Sequence, residues 1–237
     1  MSMRCVAVVA MCLALAESPQ AEPCTPAVDA GLAAAAAAVA HDEVDAALAR
    51  LEALAAPGCR EWAVAVASLR GWRVARTAGA TGGTAEALAG ATAAREALAA
   101  LGPAVSEAAY AHALVTAAVA AAQDEREDLQ VWLDHAHDLA RRLSAGRDQP
   151  RWPLPVDAAE GELWFDVDDF ELSEAAFARA LAAPAPGPAL WRGLARARDR
   201  RGNREGACAA YRRTLDVATP GSALAAEARG YVLVCAR

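Results

Sequence analysis

The chain has 237 residues, 56% of them apolar but only 5% aromatic, and the difference is mostly alanine. Alanine buries little area per residue in a thick globular core, but it suits closely packed helix pairs and has the best helix propensity. The formal net charge of −7 excludes a general nucleic-acid binder, which needs a basic footprint, and no stretch beyond the N-terminus approaches a membrane span in length.

One compositional bias has to be set aside first. Lysine and isoleucine are absent and Asn203 is the sole asparagine. These residues have AT-rich codons, so a GC-rich genome explains the pattern. The choice of arginine over lysine therefore carries no information about bidentate recognition.

In chain order, Arg4 precedes an apolar run from Cys5 to Ala16, and Ala14-Leu15-Ala16 fits a small-x-small cleavage site before Glu17-Ser18-Pro19. The segment reads as a secretory signal peptide over residues 1–16, which predicts a periplasmic or secreted protein. Helices are then predicted at 27–40, 43–56, 60–77, 85–101, 104–122, 126–145, 156–166, 170–183, 188–201, 204–217 and 221–235. No alternating run persists long enough to suggest a strand. Pro57-Gly58, Gly79 to Gly83, Gly102-Pro103 and Pro184 to Pro188 supply the breaks. Residues 146–155 form the longest irregular stretch, hold three prolines with Trp152, and suggest a hinge between two halves.

Cleavage after Ala16 would leave Cys24, Cys59, Cys208 and Cys235, an even number that suggests disulfides in an exported chain. Cys24 and Cys59 lie almost equally far from a hairpin turn at His41-Asp42. Cys208 and Cys235 flank a turn at Pro220-Gly221 more loosely. The expected bridges are Cys24–Cys59 and Cys208–Cys235. Free buried thiols are the competing reading.

The C-terminal half repeats itself at an interval of 34 residues: Phe177 falls on Tyr211, Leu181 on Leu215, Ala175-Ala176 on Ala209-Ala210 and Glu171 on Glu205. Such an interval marks a stacked helical array, which offers a concave surface and has no built-in reaction chemistry. From Ala189 to Pro220 the order is Trp191, Leu194-Ala195, Gly202 at the turn, Ala207, Tyr211, Leu215 and Pro220. The preceding unit carries Gly161, Trp164, Phe170, Phe177, Ala180-Leu181 and Pro184. On these residues the stretch 154–221 resembles the tetratricopeptide repeat (TPR) family. Arg198 stands where an aromatic residue is usual, and Asp168 replaces the turn glycine. Upstream, His41 to Leu48 with Leu51 and Leu54 looks like the second half of a repeat, and residues 60–101 and 104–145 look like degenerate repeats. A separate alanine-rich bundle is the alternative for residues 17–147.

The resemblance implies an all-α array of antiparallel helix hairpins, a TPR-like, right-handed α-solenoid. It would comprise degenerate hairpins over 17–147, a proline-rich break at 148–155, two repeats over 156–220 and a C-terminal capping helix at 221–237. It also implies that the first helix of each pair lines a concave groove. The matching positions are Arg192, Arg196, Asp199 and Arg200 in the last repeat, and Glu162, Phe165 and Asp166 in the one before. Arg192, Arg196 and Arg200 share one helix face, since they recur every fourth residue. A protein or peptide partner with an acidic tail or free carboxylate would suit them. The other reading is that they pair with Glu162, Asp166 or Asp199 and solvate the groove.

Other candidates carry less. Asp166, Asp168, Asp169 and Glu171 lack the glycine and distal glutamate of a calcium loop. His135 and His137, two apart on a helix, cannot share one ion. The chain has no Gly-x-Ser-x-Gly, phosphate-binding loop or HExxH. The sequence thus implies a scaffold and not an enzyme, with no cofactor. A structural subunit of a cell-envelope assembly is the alternative function.

Overall fold

The computed structural model describes residues 24–56, 58–101, 107–144, 154–184 and 186–235. The signal-peptide segment, Trp152 and most of the proline-rich break lie outside the described residues. Within them the chain is all helix and no strand is present: α1 (Pro26–Ala40), α2 (Val44–Leu54), α3 (Arg60–Gly79), α4 (Ala85–Ala100), α5 (Glu107–Ala122), α6 (Arg126–Ser144), α7 (Val156–Asp166), α8 (Phe170–Ala180), α9 (Pro188–Arg200), α10 (Arg204–Val217) and α11 (Ala223–Cys235). These are the helices that the sequence predicts, with small differences at their ends. α2 stops at Leu54, two residues early, because Ala55 turns left-handed at φ 45°. α8 stops at Ala180, before the expected end at residue 183. α11 begins at Ala223, with Gly221 left-handed at φ 83° and the Ser222 hydroxyl accepting from the Ala225 N–H at 3.2 Å.

The helices stand as five antiparallel hairpins, each packed on the next, with α11 against α10 and α9 at the end. One turn geometry recurs in all five. The N–H groups of Glu43, Gly83, Glu125, Asp169 and Asn203 each donate to the carbonyl five residues back, on Ala38, Ala78, Ala120, Trp164 and Arg198, all at 2.9 Å. The residue before each donor is left-handed: Asp42 at φ 63°, Gly82 at 93°, Asp124 at 57°, Asp168 at 60° and Gly202 at 78°. This is a helix stop in which two orphan carbonyls are satisfied by the turn that reverses the chain. Three of the five hairpins place an aspartate where the left-handed turn favours glycine, so a turn-glycine search over the N-terminal region finds only one of its three turns.

The first helices of the hairpins, α1, α3, α5, α7 and α9, pack side by side as an inner layer. α5 fits there because its faces are alanine, and the helix is buried almost all round. Its small side chains let α3 and α7 approach on either side. The inner layer also curves until α1 meets α9. That contact is tight: a Cβ on Gly187 would lie 2.6 Å from the Ala40 carbonyl oxygen.

The apolar core does not divide at the proline-rich break. A single cluster runs from α1 through α7 and includes Leu154, Ala159, Leu163 and Trp164. The Tyr110 hydroxyl on α5 donates to the Leu154 carbonyl at 2.7 Å. α7 is thus packed with the N-terminal hairpins. A second cluster, around Phe177, Leu194, Ala195, Ala210, Tyr211 and Ala228, begins only at α8. The sequence break and the packing break are at different places.

Two cysteine pairs close the ends of the array. Cys24 is joined to Cys59 with Cα atoms 5.0 Å apart, and Cys208 to Cys235 with Cα atoms 6.1 Å apart. These are the two pairs that the helix register predicts.

Candidate functional site

The inner layer encloses charged side chains contributed by α3, α7 and α9 and by the turn after α1. Glu162 is at the centre, with a side chain only 14% exposed. Arg76 of α3 comes within 2.8 Å of it and also holds Asp166, one turn along α7, through contacts of 2.6 and 2.9 Å. Arg192 of α9 approaches Glu162 from the other side at 3.7 Å, and Arg196 is 4.0 Å away. Burial alone would raise the Glu162 carboxyl, but the guanidinium charges of Arg76, Arg192 and Arg196 outweigh it and hold the group below the usual carboxylate range. Arg76 is shifted upward in turn, since Glu162 and Asp166 more than compensate its own burial.

Arg192 also holds Asp42, from the turn after α1, at 2.7 Å, and approaches Glu227 of α11 at 3.9 Å. The Arg192 side chain is 12% exposed. The Asp42 carboxyl is shifted upward: burial dominates, and the lowering effect of Arg192 only partly offsets it.

The remaining groove positions are engaged as well. The Arg196 guanidinium stacks 4.0 Å from the centre of the Phe165 ring, and Arg200 stacks 4.5 Å from that of Phe170. Phe165 and Phe170 touch at 5.3 Å between centroids, which joins both stacks into one ladder. Arg200 reaches Asp168 at 3.3 Å, and Asp199 accepts from the Tyr231 hydroxyl. Of the seven positions that the sequence assigns to a groove, Glu162, Asp166, Arg192, Arg196 and Phe165 are joined through ion pairs and stacking, and Arg200 through Phe170, whereas Asp199 is engaged by Tyr231 instead. The three arginines do not form a free basic stripe, because each has a carboxylate of this chain. Sequence reasoning missed Arg76 and Trp72, which belong to no motif, and it read Asp42 only as part of the first hairpin turn, not as a partner of Arg192.

Beside this network is a cavity of about 290 Å³. Its walls are apolar, built from Val39 and Ala40 of α1, Trp72 of α3, Ala158 of α7 and Leu190 of α9, and Asp42, Arg76 and Glu162 line its charged side. The volume is at the lower limit of small-molecule pockets and fits a few side chains, not a whole extended segment.

Two other clusters bring ligand-type atoms together. His137 Nε2 and Glu160 Oε2 are 2.7 Å apart, with Asp157 nearby. Arg179 of α8 already supplies a positive charge there, 2.5 Å from Glu160 and 2.9 Å from Asp157. In the second, Glu61 is close to Cys24 and Cys59, whose sulfurs are bonded to each other. Neither is an open metal site. His135 packs edge-on to Trp132, apart from His137. In the acidic cluster Asp169 caps α8 through the Leu172 N–H at 3.1 Å, while Asp166 and Asp168 have the arginine partners already named.

No family model matches this chain. No curated protein matches it either. Among solved structures, the crystal structure of a thermophilic TPR protein from Thermus thermophilus is similar over 87% of this chain and 100% of its own, with a TM-score of 0.53 and 18% sequence identity. At that identity the likeness concerns the fold alone, and the fold of this chain is a TPR-like array of helical hairpins.

Proposed function

We propose that this chain is an exported scaffold that binds a protein or peptide partner, and that the central cavity is the contact. The observation that carries this reading is the cavity itself. It is apolar, it is bordered by an ion network, and it is built by the inner helices, the surface that helical repeat arrays present to partners. A few anchors in such a cavity supply most of the affinity in a complex of this kind. The anchor on the partner is an apolar side chain, and a neighbouring carboxylate of the partner suits Arg192 or Arg196. Export is consistent with the two disulfides, which persist in an oxidising compartment. Glu162, Asp166, His137 and Glu160 are each engaged in ion pairs within the chain, which supports a binding role over a catalytic one.

The test is selection from a displayed peptide library on the purified protein, with an Ala158→Phe variant that fills the cavity as the counter-screen. Peptides enriched on the parent and lost on the variant support the reading. Equal enrichment on both places the contact elsewhere. Intact mass with and without reductant, on protein recovered from a periplasmic extract, reports cleavage after Ala16 and disulfide number together.

A second reading rests on α11. Leu233 and Val234 at its end are 66% and 50% exposed, an apolar edge that suits a structural subunit of an envelope assembly. Cross-links mapping to residues 223–235 instead of 188–200 would favour it.

A further inference from the structure

The two disulfides are alike in exposure and opposite in electrostatics. Each joins a buried cysteine to a half-buried one: Cys59 is 5% exposed and Cys208 6%, while Cys24 and Cys235 are partly accessible. Cys59 is the N-cap of α3, and its Sγ accepts the Trp62 N–H at 3.3 Å. Trp62 is held in place in turn, because its ring N–H donates to the Leu51 carbonyl of α2 at 2.5 Å. Cys235, by contrast, is the last residue of α11, where the helix end carries a partial negative charge, and Cys208 is in the interior of α10. A second group separates the sulfurs of the first bridge. Glu61 Oε2 is 3.0 Å from Cys24 Sγ and 3.8 Å from Cys59 Sγ. Negative charge on Cys24 meets that carboxylate first, whereas negative charge on Cys59 meets an N–H donor and the positive end of a helix of 20 residues.

We propose that the Cys24–Cys59 bridge is exchange-active: an external thiolate attacks Cys24, the more accessible sulfur, and Cys59 leaves. The bond from the incoming sulfur to Cys24 forms as the Cys24–Cys59 bond breaks, and the electron pair departs on Cys59 as a thiolate that the Trp62 N–H already faces. No proton moves in this step. A second thiolate then attacks the incoming sulfur of the mixed disulfide. The two external thiols leave as a disulfide, having supplied both electrons, and Cys24 takes a proton from water and donates it in a hydrogen bond to Glu61. The helix terminus and the carboxylate thus select the same leaving group, and a better leaving thiolate speeds exchange. Cys208–Cys235 has neither device and stays a structural fastening. The inference is separate from peptide capture, since the cavity borders the other end of α1.

The test treats the full oxidised chain with glutathione, quenches with acid, alkylates and maps the peptides. Cys24–Cys59 is expected to open about tenfold faster than Cys208–Cys235, with the first glutathione adduct on Cys24 and Cys59 free. Equal opening of the two bridges, or an adduct on Cys59, would overturn the proposal. Because both bridges pair a buried with a half-buried cysteine, exposure alone predicts equal rates. A second measurement isolates the leaving group. In Cys24→Ser the alkylation rate of Cys59, followed against pH by the same mapping, should reach half its maximum below about 8.5, the ordinary thiol value. A midpoint at or above that value would show that the α3 terminus does not stabilise the departing sulfur, and the proposal would fail.

Discussion

Arg76 reaches over the alanine face of α5 to place its guanidinium 2.8 Å from Glu162, a carboxylate 86 residues further along the chain. Ala118, Ala121 and Ala122 line the space that it crosses. Both partners are mostly buried, so removing either leaves the charge of the other less well compensated. Glu162→Gln leaves Arg76, Arg192 and Arg196 without their shared anion, and should destabilise the fold by about 3 kcal/mol. Replacing both partners, as Arg76→Met with Glu162→Leu, should cost clearly less than the sum of the single changes. Urea unfolding midpoints of the four proteins measure this coupling. Additive losses would show that the two side chains act separately.

Phe177 gives a prediction of packing. Its ring fills the gap left by two glycines on the flanking inner helices. A Cβ on Gly161 would lie 2.9 Å from the ring, and one on Gly193 2.3 Å from it. Gly193→Ala should therefore cost roughly 2 kcal/mol, the range for overpacking a filled core, and Gly161→Ala somewhat less. Adding Phe177→Leu to Gly193→Ala should recover part of the loss. Thermal melts read the outcome, and a double variant no better than the single one would contradict this account.

Asp124 sits at φ 57° in the third hairpin turn, where a residue with a Cβ is strained. Its carboxylate meets the exposed Arg126 at 3.3 Å, a pair of little energetic weight. Asp124→Gly should stabilise the protein by about 0.5–1 kcal/mol, because relief of the left-handed strain exceeds the added freedom of the unfolded chain. The same change at Asp42 should lower stability, since Asp42 holds Arg192. A gain at position 42 equal to that at 124 would remove the distinction between the two turns.

The His137–Glu160 pair makes stability depend on pH. The hydrogen bond to Glu160 raises the His137 pKa above its ordinary value, against the lowering effect of burial. Stabilisation from a raised histidine is fully present below the unfolded value near 6.5 and is lost as pH rises through the higher folded value. The Glu160 carboxyl is shifted the other way. Burial would raise it, but the hydrogen bonds from His137 and Arg179 with their charges prevail, so its contribution is lost only as pH falls through a value below 4.5. His137→Gln should therefore destabilise the protein more at pH 6 than at pH 8.5, by less than about 1 kcal/mol for a pair this accessible. Urea unfolding at the two pH values checks the sign. Equal losses at both would show that the protonated ring contributes nothing.

Helix positions, hairpin order and the two cysteine pairs were legible in the sequence because they depend on local signals. Alanine-rich composition, glycine and proline breaks, and distances from a turn all act within one hairpin. The five-fold turn was only partly legible. Asp42, Asp124 and Asp168 adopt the conformation that Gly82 and Gly202 announce, and aspartate is too common in ordinary loops to mark it. The state of the groove was only partly legible: pairing of the arginines with Glu162 was one of the two readings, and the structure has it for Arg192 and Arg196. Arg192, Arg196 and Arg200 read equally well as a surface offered to a partner or as paired charges. The choice depended on Arg76, on the second hairpin, and on Asp42, at the far end of the array. Helix propensity and spacing fix what each hairpin is. How far the stack curves is set by side-chain volumes between hairpins, such as the alanines of α5 and the glycines around Phe177, and that curvature brings α1 onto α9.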